Sequence, residues 1–121
     1  AFIASVELVA MYVSRLKSMT AGELKKRLDE RETVQIIDVR EPYEWEICRL
    51  EQAELIPMRR IPKSMERVAK DRPVVLYCHQ GMRSANIIRF MEDCEGYENL
   101  YTLAGGIDAW AKQVDHKMAT Y

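Results

Sequence analysis

The sequence predicts an α/β domain in which a parallel sheet is covered by helices on both faces. Two observations carry this. Short β-rich apolar runs alternate along the chain with segments of helical periodicity, the order that builds strand–helix–strand units. One of those runs, VVLYC at 74–78, is apolar throughout, as suits a strand buried on both sides. The length of 121 residues is that of one domain, and 48% hydrophobic with 31% charged residues is an ordinary folded balance.

The elements follow in order. Phe2, Val6, Val9, Val13 and Leu16 recur at spacings of four and three, one face of an amphipathic helix, so residues 1–17 read as a helical extension. This stretch carries Glu7 and no basic residue ahead of its apolar part, which makes it a poor signal peptide. The chain starts at Ala1 rather than Met, which fits a fragment or a processed product. Thr20 with Glu23 forms a capping box for a second helix, continued by Leu24 and Leu28. VQIID is a strand ending at Asp38, and Glu41-Pro42 opens a helix with Pro at its first position. LIPM is a short strand, and Pro62 opens a helix holding Met65, Val68 and Ala69. Asp71-Arg72-Pro73 punctuates the chain before VVLYC. A helix beginning near Ser84 presents Ala85, Ile88 and Met91 on one face. NLYTL is a strand, Gly105-Gly106 a turn and IDAWAKQV a helix, and the polar stretch Lys112 to Tyr121 trails along the surface.

Charge and cysteine content exclude several roles. Lys+Arg 18 against Asp+Glu 19 leaves a net charge of −1, so no global basic field draws nucleic acid or an anionic membrane. No run reaches the ~18 apolar residues of a membrane-spanning helix. Three widely spaced cysteines, Cys48, Cys78 and Cys94, rule out a fully paired disulfide framework and contain no CxxC zinc pair. A reducing, cytoplasmic setting fits this usage.

The loop after VVLYC holds the candidate chemistry. Cys78 ends the strand, where open α/β sheets bind ligands. Gly81 lets the loop curl so that N–H groups face inward, the following helix N-terminus adds partial positive charge, and Arg83 adds a full one. All three favour an anion in the loop and the thiolate form of Cys78, the form that attacks. Cys94, on a helix among acidic residues, and Cys48, with no basic or glycine-rich surroundings, read as structural. His79 directly follows Cys78 and faces away from an obvious triad, and His116 reads as a solvated surface group.

Taken together, four blocks in order resemble a rhodanese domain: IIDVREPYEWEI, AELIPM, YCHQGMRSA and LAGGIDAW, covering 18–121. The resemblance implies a doubly wound α/β fold with a central parallel sheet of about five strands. It implies sulfurtransferase chemistry, with Cys78 carrying a sulfane sulfur as a persulfide. The backbone of His79, Gln80, Gly81, Met82 and Arg83, leading into Ser84, would cradle it. Asp38 and Arg40 match the family's charged pair and would support the loop, Arg40 being the one to test for substrate contact. Gly105, Gly106 and Trp110 match the closing block and read as turn and packing residues. Cys48-Arg49 stands where the family shows Gly-His, and Gln52 where it shows Gly, so a changed turn is expected there. The stretch GGIDAWAKQVD with the final Tyr also resembles rhodanese domains fused behind adenylating enzymes that activate sulfur carriers.

The implied reaction is ping-pong. A small anionic donor such as thiosulfate, a polysulfide or a protein persulfide loads Cys78. Cyanide, a small thiol, a thioredoxin-like dithiol or a sulfur-carrier protein then unloads it. No metal or organic cofactor is required. Two rivals stand beside it. A Cys-dependent phosphatase or arsenate reductase on a similar fold places five residues between Cys and Arg, whereas four, His79 to Met82, intervene here. A non-catalytic docking module of the same fold often lacks the Cys, which is present here. The oligomeric state stays open.

Overall fold

The computed structural model describes residues 16–121. The helix expected over 1–17 falls, but for its last two residues, outside that part of the chain. The strands are β1 (Ser18–Met19), β2 (Gln35–Asp38), β3 (Glu54–Leu55), β4 (Val74–Tyr77) and β5 (Leu100–Leu103). Between and after them run the helices α1 (Ala21–Asp29), α2 (Pro42–Ile47), α3 (Met82–Glu95) and α4 (Gly106–Gln113). All strand pairs are parallel, in the order β1-β5-β4-β2-β3. The expected five-stranded α/β sheet is therefore present.

Local signals account for the helix starts. Thr20 Oγ1 accepts from Glu23 N at 3.1 Å and Glu23 accepts in return from Thr20 N at 3.3 Å, the capping box that starts α1. Pro42 opens α2 behind a second reciprocal cap, Glu41 with Glu44. Gly81, at φ 112°, caps α3, so that helix starts at Met82, two residues ahead of the expected Ser84.

The sheet separates two apolar layers. Along β4 alternate residues face opposite sides. Val74, Leu76 and Cys78 pack with Ile87, Ile88 and Met91 of α3, and Val75 and Tyr77 pack with Leu24 of α1 and Ile107 and Trp110 of α4. Every residue of β4 is buried, which is why its sequence runs apolar without alternation. The chain leaves β2 outward to β3 and returns on the other side to β4, so the winding direction reverses between β2 and β4. The carboxyl ends of those two strands carry Asp38–Arg40 and Cys78, at the place where such sheets bind ligands.

Three expectations are corrected, and one strand is added. β1 went unseen, because two residues in a polar stretch give no periodicity. The strand expected at LIPM begins one residue earlier and is shorter, Glu54–Leu55. No α-helix follows Pro62. That segment forms two 3₁₀ turns, Met58–Lys63 with Pro62 inside and Met65–Arg67. Its carbonyls are taken by side chains instead: Tyr97 Oη donates to Met65 and Val68, and Asn99 Nδ2 to Ala69 and Arg72. Finally, the tail does not simply trail along the surface. α4 ends at Gln113, within a residue of expectation, but Tyr121 returns to the carboxyl end of the sheet, where its hydroxyl meets Arg40 and Glu44.

Candidate active site

The site begins with backbone. Cys78 leaves β4 only 1% exposed, and the chain then turns through Gly81 into α3. The N-terminus of α4 pins the start of this loop: Ile107 N donates to Cys78 O at 2.9 Å and Asp108 N to His79 O at 3.1 Å. Gly106 permits that approach, since a Cβ there would lie 2.3 Å from His79 O and 2.6 Å from Cys78 O. With its carbonyls held outward, the loop turns N–H groups inward. Among the described residues the amides that donate to Cys78 Sγ are those of Gly81, at 3.1 Å, and Ser84, at 3.4 Å. Ser84 Oγ lies 3.5 Å from Sγ, 3.2 Å from Gly81 O and 2.6 Å from Thr102 Oγ1. Ser84 has a single hydroxyl proton. With Thr102 donating to Ser84, that proton is free to serve either Gly81 O or the sulfur.

Two ion pairs flank the loop. Arg40 and Asp38 are both fully buried; Nη2 meets Oδ2 at 2.6 Å and Nε meets Oδ1 at 2.9 Å. Arg40 also donates to Cys48 O at 2.6 Å and lies over the Tyr77 ring. Burial pulls its guanidinium pKa down, but the hydrogen bonds to Asp38 and Tyr121 more than reverse this and leave it raised. The second pair spans the site: Arg83 Nη1 and Nη2 meet Glu44 Oε1 and Oε2 at 2.7 and 2.8 Å. Arg83 bonding, reinforced by the Tyr121 hydroxyl and opposed by burial, holds the Glu44 carboxyl down to about 2. Arg83 in turn lies above the ordinary guanidinium range, chiefly through Glu44.

Tyr121 joins the two pairs. Its hydroxyl donates to Glu44 Oε2 at 2.6 Å and accepts from Arg40 Nη1 at 2.8 Å. Its ring stacks on His79, with centroids 4.0 Å apart and planes 11° from parallel. Burial, followed by the bond to Glu44, pushes the phenol up to about 12.

The loop residues His79 to Ser84 and the pair Asp38–Arg40 thus gather at one end of the sheet. Arg40 is wholly enclosed, while the Arg83 side chain is 35% exposed and lines a small cleft of about 190 Å³ with Val39, Glu41, Met58 and Arg59. Two larger clefts, of about 570 and 590 Å³, contain no residue of the loop. Cys48 is buried behind Arg40, with Sγ 3.9 Å from Nη1, and Cys94 is exposed on α3. Cys48 has extended backbone, φ −164°, so its position makes no demand for glycine, and Arg49 lies over the Trp45 ring.

Sequence reasoning missed Glu44, Thr102 and Tyr121. Glu44 serves locally in the cap of α2, and nothing in the sequence ties it to Arg83, 39 residues later.

A profile of the rhodanese-like domain matches residues 20–113. The chain belongs to the rhodanese-like family. A sulfurtransferase of Allochromatium vinosum is 38% identical over 97 residues, which cover 80% of this chain and 90% of that protein. A probable adenylyltransferase/sulfurtransferase, MoeZ, of Mycobacterium tuberculosis is 36% identical over 114 residues. The match takes in 93% of this chain but only 29% of that relative's length. Among solved structures, a rhodanese-like domain protein from Staphylococcus aureus superposes with a TM-score of 0.74 at 32% identity, covering 88% of this chain and 99% of that one. Within this rhodanese-like domain, among the described residues, no helix is long and apolar enough to cross a membrane.

Proposed function

We propose that this domain is a sulfurtransferase working through a Cys78 persulfide. The observation that carries the reading is the convergence of Gly81 N, Ser84 N and Ser84 Oγ on one buried sulfur at a helix N-terminus. These groups stabilise a negative sulfur as an oxyanion hole stabilises an alkoxide. The Cys78 thiolate attacks the outer sulfur of the donor. The donor's S–S bond breaks and its electron pair leaves with sulfite, or with a thiolate when the donor is a persulfide. A Cys78 persulfide remains. The acceptor, cyanide or a thiolate, attacks the outer sulfur of that persulfide and returns Cys78 as thiolate.

The donor side favours a protein persulfide over free thiosulfate. Arg83 is the loop's one fixed cation among the described residues, and Glu44 already neutralises it. Met82 and Tyr43, next in sequence to Arg83 and Glu44, are 78% and 68% exposed, an apolar rim suited to a protein surface. The relatives named sulfurtransferase support the transfer chemistry, and the four-residue spacing from Cys78 to Arg83 supports sulfur over phosphate.

Intact-mass spectrometry after thiosulfate treatment tests the reading. Wild type should gain one sulfur that cyanide removes, and Cys78→Ser should gain none. Sulfur on Cys48 or Cys94 instead, or hydrolysis of p-nitrophenyl phosphate without thiocyanate formation, would overturn it.

A further inference from the structure

We propose that Tyr121 is a positioning residue for the Cys78 loop, bracing it from both ends; the inference rests on the sulfurtransferase reading above. The ring touches the loop's start, stacking on His79 at 4.0 Å. The hydroxyl reaches the loop's end indirectly, donating at 2.6 Å to the Glu44 oxygen that also takes Arg83 Nη2 at 2.8 Å. The same hydroxyl accepts from Arg40 at 2.8 Å, which fixes its proton toward Glu44. One side chain thus ties residues 79 and 83, on either side of Gly81, to the buried Asp38–Arg40 pair.

A generic surface tail would not give this pattern. The residues just before it, Ala119 and Thr120, are exposed. Tyr121 is itself 41% exposed, yet both partners of its hydroxyl are enclosed, Arg40 at 0% and Glu44 at 2%. Bonds to charged, desolvated partners are the strong ones, so the contact is held by its polar end rather than by apolar cover. Glu44 keeps its charge at neutral pH, so the brace is in place under working conditions. What it positions is the Arg83 guanidinium facing the donor, through the Glu44 oxygen that both share.

The test compares wild type, Tyr121→Phe and Tyr121→Ala by two readouts. The first is the NMR position of the His79 ring protons, with the exposed His116 as reference. Stacking on an aromatic ring should shift them upfield in wild type and Tyr121→Phe, and the shift should vanish in Tyr121→Ala. The second is steady-state thiosulfate:cyanide transfer. Losing a hydrogen bond to a charged group should raise the KM for thiosulfate about tenfold in both variants. By the same reasoning kcat should stay within about twofold, because the amides at Sγ are set by α3 and α4. Unchanged KM in both variants overturns the proposal. So does a fall in kcat that merely tracks a lower Tm, or a His79 shift insensitive to Tyr121→Ala. If wild type transfers no sulfur at all, the sulfurtransferase reading fails, and the His79 shift still decides independently whether the brace exists.

Discussion

The two arginine–carboxylate pairs at the carboxyl end of the sheet look alike and do different work. Asp38–Arg40 is local in sequence and wholly enclosed, whereas Glu44–Arg83 links two elements and leaves its arginine 35% exposed. Enclosure makes the first pair a fixed anchor, because neither charge finds water when the other is lost. Partial exposure makes the second a surface of the site, because Arg83 reaches solvent while Glu44 holds its orientation. The lesson is that a conventional charge count says little until the burial of each partner is known.

Breaking the enclosed pair should have the largest effect. Asp38→Ala leaves Arg40 buried and unpaired, and should cost about 3–5 kcal/mol in urea denaturation. Asp38→Leu combined with Arg40→Met should recover most of that loss, since the charge and its partner go together. A single variant as stable as wild type would dissolve the distinction between the pairs.

Acid should act next, and on the other pair. Glu44's folded-state pKa is depressed, from 4.5 to about 2. Its contribution is therefore complete above the ordinary carboxylate range and lost as pH falls toward 2, about 3 kcal/mol across that window. Urea midpoints measured between pH 6 and pH 2 should show this slope in wild type and a flatter one in Glu44→Gln. Equal slopes would remove Glu44 from the account.

The smallest effect on stability, and the sharpest on function, belongs to Arg83→Lys. Lysine keeps a cation beside Glu44, so stability should change by less than about 1 kcal/mol. Thiosulfate loading of Cys78 should nonetheless slow about tenfold, because an ammonium cannot hold Glu44 through two parallel bonds. Loading at the wild-type rate would show that the orientation of Arg83 is irrelevant.

The same contrast explains what was legible in the sequence. Strand β4, the turn at Gly81 and the caps at Thr20 and Glu41 are written in neighbouring residues, and period and punctuation reveal them. The nucleophile's loop was legible for that reason. Glu44, Thr102 and Tyr121 meet their partners only through folding, over 39, 18 and 77 residues, and each had a sufficient local reading of its own. The 58–69 segment misled because its apolar spacing is helical while its carbonyls are claimed by Tyr97 and Asn99. β1 was illegible because it exists only as an edge paired to β5.

That edge has a consequence for the order of assembly. Ser18 pairs with Thr102 and Met19 with Leu103, so the first described strand meets the last. Contacts this distant in sequence form slowly, since their chain-closure entropy falls due before any packing rewards it. Strand β4, its loop and α3 are contiguous and need no such closure. The turn from β4 into α3 therefore closes over few residues, whereas the α4 amides that pin Cys78 O and His79 O, and the side chains of Thr102 and Tyr121, must come from further along the chain. The nucleophile thus sits mid-chain and depends on supports that lie C-terminal to it.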